Sequence, residues 1–131
     1  MDVREVKRGD IWYARLPSHG AGSVQQGDRP VVVIQNDYIS RRSPTVIVAV
    51  ITSQIKRTDL RSHVILPEVK GLPKKSMVAC EQVFTLDRKA LFIYRCTLDE
   101  TTMKTVDRAL KYCVTNVRSS ISGKYRRRKR K

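Results

Sequence analysis

At 131 residues with 40% hydrophobic side chains, the chain has the size and composition of one folded domain rather than a disordered segment. Lys and Arg number 27 against 12 Asp and Glu, a net charge of +15, which points to polyanionic partners: RNA, DNA, an acidic protein or anionic lipid. The longest fully apolar run, VIVAVI at residues 46–51, is far too short to span a bilayer, and the opening MDVREVKRGD has no apolar signal region, so the expectation is a cytoplasmic protein without a membrane partner.

In chain order, DIWYARL (10–16) reads as a first strand, rich in aromatic and β-favouring residues. PSHGAGSVQQGDR (17–29) reads as a loop, since Pro, Gly, Ser and Asp cluster there with little to bury. Two short β-branched runs follow, PVVVIQN (30–36) and TVIVAVIT (45–52), separated by DYISRRSP, and both favour buried strands over helices. HVILP (63–67) and SMVACEQV (76–83) are further strands across the turn-rich VKGLPKKS. TLDRKAL is expected to form one short helical turn before a last strand, LFIYR (91–95).

The period then changes. Leu98, Met103, Val106, Ala109, Leu110, Cys113, Val114 and Val117 fall on one side of a helix capped by Asp99, with Glu100 at its positive end; it should run to about Ser119. Strands followed by one helix predict a mainly β protein with α: a small, mostly antiparallel barrel or curled sheet closed by a C-terminal helix. Residues 1–121 form the domain. Residues 122–131 form a basic tail that should stay disordered, because like charges repel and nothing there can be buried. Without the seven basic residues of KYRRRKRK, 20 basic side chains still face 12 acidic ones, so the domain is basic by itself at +8.

Cys80, Cys96 and Cys113, an odd number without CxxC spacing, fit neither a disulfide framework nor a zinc site and are expected to be reduced and buried. His19 and His63 lie far apart without ligand-spaced neighbours, so no metal is expected. No Gly-rich phosphate loop appears, so no nucleotide cofactor is expected. No nucleophile motif appears either. Polar residues concentrate instead where loops meet strands, in three groups. The first is Ser23, Gln25, Gln26, Asp28 and Arg29; the second is Thr52, Ser53, Gln54, Lys56 and Arg57; the third is Glu81 and Gln82. They offer donors and positive charge with almost no base near neutral pH, which suits recognition of phosphates and base edges. It also suits an Arg fork stabilising charge on a phosphoryl oxygen. From composition and spacing alone, a structural salt bridge to Asp28, Asp10 or Glu81 is the leading reading for Arg29, and a strand-end hydroxyl serving neighbouring backbone is the leading reading for Thr52.

Those groups, in this order, resemble the MazF/PemK family of toxin endoribonucleases. The resemblance runs through KRGDIWYA (7–14), GSVQQGDRPVVVIQND (22–37), SPTVIVAVITSQ (43–54), EQVFTLDR (81–88), LD (98–99) and VDRAL (106–110), spanning roughly residues 6–118. It implies an SH3-like β-barrel, a homodimer, and metal-independent, sequence-selective cleavage of single-stranded RNA. In such cleavage the RNA 2′-OH attacks and leaves a 2′,3′-cyclic phosphate and a 5′-OH. It further implies a cognate acidic antitoxin. The family's active-site arginine and threonine correspond to Arg29 and Thr52, with Ser23, Gln25, Asp28, Ser53, Gln54, Lys56, Arg57 and Gln82 as RNA-binding candidates. Val24 stands where many relatives carry glutamate, and Phe84 where many carry a basic residue. The contrasting reading within the same barrel class is a non-catalytic toxin, like the gyrase-poisoning CcdB, or a nucleic-acid-binding barrel.

Overall fold

The computed structural model describes residues 5–17 and 25–116. Six strands, β1 (Asp10–Leu16), β2 (Gly27–Val33), β3 (Thr45–Thr52), β4 (His63–Ile65), β5 (Met77–Asp87) and β6 (Leu91–Thr97), form one antiparallel sheet in the order β4-β5-β3-β2-β1-β6. A one-turn helix, α1 (Asp37–Ser40), links β2 to β3, and a longer helix, α2 (Glu100–Val114), ends the described fold. Edge strands β4 and β6 do not pair with each other, so the expected barrel is an open, curled sheet.

Alternation along the strands divides the core in two. On one face Ile11, Val32, Ala49, Ile51, Val78 and Cys80 meet Met103, Val106 and Ala109 of α2. On the other, Trp12, Ala14, Val31, Val33, Val48, Val50 and Leu86 pack together without the helix. Central β3 is buried on both sides, which is why its sequence is a β-branched run interrupted only by Ala49. The helix begins as its sequence requires: the Asp99 carboxylate accepts from Thr102 N at 2.8 Å, and hydrogen bonding from the Thr102 side chain first, then its backbone, lowers the pKa of this carboxyl. Arg8 ties α2 to the sheet, donating to Asp107 and, at 2.8 Å, to the Ile34 carbonyl.

Several boundaries differ from the sequence reading. β2 starts at Gly27, inside the expected loop, because pairing with Leu16, Arg15 and Ala14 of β1 recruits 27–29. The DYISRRSP link contains α1, capped by the Asn36 side chain. β5 runs on to Asp87, since residues 83–87 pair with β3; only Arg88–Ala90 form a helical turn, of 3-10 type. β4 stops at Ile65 and β6 extends to Thr97. α2 ends at Val114, where Thr115 turns to extended backbone, short of Ser119. Of the thiols only Cys80 is fully buried, its pKa pushed up to about 12 chiefly by desolvation; Cys96 and Cys113 are half-buried, and all three are unbridged. Ser23, Val24, His19 and the basic tail at 122–131 lie outside the described residues. No described helix is long and apolar enough to cross a membrane.

Candidate functional site

The face without the helix changes character at one end of the sheet. β2 and β3 pair as far as Val31 opposite Val50, and two residues beyond that last pair stand Arg29 on β2 and Thr52 on β3. Thr52 is paired with Met77 of β5, while Arg29 is paired with Ala14 of β1. Period-two alternation puts Arg29 and Thr52 on the same side as Val31 and Val50, where the apolar face runs out into polar side chains.

Arg29 is half-buried, and its Nε donates to the Gln26 carbonyl at 3.1 Å. All three carboxylates that could have anchored it are engaged elsewhere. Asp28, on the opposite side of β2, pairs with Arg15 at 3.0 Å; Asp10 accepts from Thr97 Oγ1; Glu81 faces His63. Among the described residues Arg29 makes no ion pair. Thr52 Oγ1 accepts from Gln54 N at 3.0 Å, so the hydroxyl folds the chain into the next loop.

Beside Thr52 a groove of about 220 Å³ opens, with Met77 and Ala79 among its walls and Gln25, Gln54, Lys56, Arg57, Glu81 and Gln82 around it. Its shape depends on an irregularity in β5. Ala49 and Val50 are consecutive on β3, yet their partners, Val83 and Ala79, are four apart on β5. Such an insertion breaks strict alternation, and here the neighbours Glu81 and Gln82 both line the groove. Gln82 Oε1 accepts from Gln25 N at 3.2 Å, joining β5 to the segment leading into β2.

The structure therefore brings Gln25, Thr52, Gln54, Lys56, Arg57 and Gln82 around one groove, while Arg29, paired with Ala14 of β1, is not among its lining residues. Ser53 is exposed next to it, and Asp28 is turned to the other side of the sheet. The sequence reading missed His63, set aside for want of a nearby ligand partner. Its Nε2 lies 3.0 Å from Glu81 Oε2, and its Nδ1 lies 2.9 Å from Arg57 O and 3.2 Å from Lys56 O. Burial opposes the imidazolium, but Glu81 and the two carbonyls outweigh it and raise the His63 pKa. For Glu81 burial acts upward as the largest single influence, and the hydrogen bonds from His63, backbone and Ser62 together with the His63 charge outweigh it to lower the pKa. The signal was that both residues lie in expected strands, HVILP and SMVACEQV, but pairing β4 with β5 is what unites them. Among the described residues no three His, Cys, Asp or Glu side chains are grouped to hold a metal ion.

Comparison with known proteins agrees with this architecture. The chain is 45% identical over 106 residues to Endoribonuclease EndoA of Bacillus subtilis (strain 168), covering 80% of this chain and 90% of that protein. MazF from Deinococcus radiodurans superposes with a TM-score of 0.71 at 19% identity, covering 83% of this chain and 96% of that one. An endoribonuclease in complex with its cognate antitoxin, from a mycobacterial species, gives 0.70 at 18% identity, over 86% and 98%. At those identities the structural likeness speaks for the fold alone. The family match spans residues 7–114, and with it the chain belongs to the PemK-like, MazF-like toxins of type II toxin–antitoxin systems.

Proposed function

We propose that this toxin is an endoribonuclease that cuts single-stranded RNA at the Arg29–Thr52 end of the sheet, with the neighbouring groove reading the bases. The observation that carries the reading is where the β2–β3 ladder ends: two residues beyond its last pair stand a guanidinium, without a carboxylate partner among the described residues, and a strand-end hydroxyl on the neighbouring strand. Two backbone constraints, Pro30 behind Arg29 and the bond from Arg29 to the Gln26 carbonyl, favour a guanidinium that loses little freedom on meeting a phosphate.

In the proposed reaction the 2′-oxygen of the RNA forms a bond to the adjacent phosphorus while the bond to the 5′-oxygen breaks. The 2′-OH loses its proton, the 5′-oxygen gains one, and the products are a cyclic phosphate and a 5′-hydroxyl. Because a guanidinium holds its proton, Arg29 serves to neutralise charge growing on the phosphoryl oxygens rather than as a base. Thr52 aligns the 2′-OH or donates to a phosphoryl oxygen. Gln25, Gln54, Lys56, Arg57 and Gln82 supply donors, acceptors and charge for base and backbone contacts. We further propose that the protein works in the cytoplasm as a homodimer restrained by a cognate acidic antitoxin, whose charge the basic surface would attract.

The test is to incubate the protein with long single-stranded RNA in excess EDTA, beside Arg29→Ala, and to identify both new ends. Cuts at a short recurring sequence with the expected ends, absent for the folded variant, support the reading. Failure of antitoxin-free wild type to cut several unrelated RNAs would favour a non-catalytic toxin.

A further inference from the structure

Both ring nitrogens of His63 face acceptors alone: the Arg57 and Lys56 carbonyls at Nδ1, and the Glu81 carboxylate at Nε2. A neutral imidazole has one N–H and would leave a lone pair against one of these oxygens, so the arrangement is satisfied by the imidazolium. The side chain is 9% exposed, which makes an unmatched contact costly. What it holds is also under tension, for Arg57 adopts φ +50°, a left-handed conformation that a non-glycine side chain rarely takes. The Arg57 carbonyl is fixed by His63, and its guanidinium by Asp59. On the other side, Glu81 adjoins Gln82, which binds Gln25.

We infer that His63 and Glu81 form a clamp, complete only with both ring protons in place, that positions Lys56, Arg57 and Gln82 for RNA recognition. The inference rests on the RNA-cleaving reading above and assigns His63 a positioning role, without contact to the scissile phosphate. The charged and titratable groups around the ring are Lys56, Arg57 and Asp59 from the loop, Arg61 at its end, Glu81 from β5, and Arg108 and Tyr112 from α2. Of these, Glu81 is the carboxylate in direct contact. Since the His63 pKa is raised and that of Glu81 lowered, the clamp is intact between the two; it opens when pH rises through the former or falls through the latter.

The test combines ring-nitrogen NMR of the free protein with cleavage profiles on a long RNA. The expectation is two ring N–H groups on His63 at pH 6.5. As they titrate, amide protection at residues 55–60 should fall about tenfold. KM should rise about tenfold over the same range, with kcat changing far less. Glu81→Gln supplies the decisive variant, since its amide donates to a neutral His63 and should abolish both pH effects. A singly protonated ring at pH 6.5, or equal pH dependence in Glu81→Gln, overturns the clamp. If wild type cuts no RNA, the endoribonuclease reading falls on its own, because the NMR and exchange measurements still decide the clamp.

Discussion

The two faces of the sheet solve opposite problems with the same strands. On one, Ile11, Val32, Ala49 and Ile51 are sealed by Met103, Val106 and Ala109, so apolar residues there end in more apolar residues. On the other, Trp12, Val31, Val33 and Val50 are buried by the curl of the sheet, and the row ends in Arg29 and Thr52. A helix laid over both faces would have left no surface for a substrate. The asymmetry teaches that α2 belongs to stability and the polar end of the other face to recognition, two tasks kept apart by strand alternation.

Substitutions that act on one face and spare the other test that separation. Met103→Ala should cost about 2–5 kcal/mol in chemical denaturation, with cleavage per folded molecule unchanged. Lost activity in the molecules that remain folded would couple the faces. Arg29→Lys, which keeps the charge and removes the planar fork, should lower cleavage about 10²-fold, without a change in Tm. Near-normal cutting would mean that a point charge suffices there. Next in size, Asp99→Ala removes the cap of α2 and should lower Tm by roughly 4 °C while the cut sites stay the same. The smallest effect is expected from Asp28→Asn, because an exposed pair such as Arg15–Asp28 adds little; Tm should move by about 1–2 °C at most. A large loss of cutting in that variant would place recognition on both sides of β2.

Most of the fold could be read from the sequence because it depends on local pattern. The β-branched runs of β2 and β3, the 3.6-residue period of α2 and the Asp99 cap each declare themselves within a few positions. What escaped depends on partners distant in the chain. Gly27–Arg29 looks like loop until β1 lies beside it, and TLD (85–87) looks helical until β3 offers its pairing edge. At the site, the ordered groups around Arg29, Thr52 and Gln82 were visible as polar clusters at strand ends, and five of the eight RNA-binding candidates, Gln25, Gln54, Lys56, Arg57 and Gln82, line the groove beside Thr52. His63–Glu81 was not visible as a pair: 18 positions separate the two, and although Glu81 stood in a polar group, nothing local tied it to His63.

The slipped register of β5 gives the protein a place where its chemistry can be rewritten cheaply. Val83 and Ala79 hold the strand to β3 on either side, so Glu81 and Gln82 lie in a stretch whose pairing with β3 is already broken. Exchanging the side chain at position 82 leaves those anchoring pairs where they are. A lineage could therefore try new recognition preferences at that point while the scaffold stays constant, much as a tool holder accepts different bits.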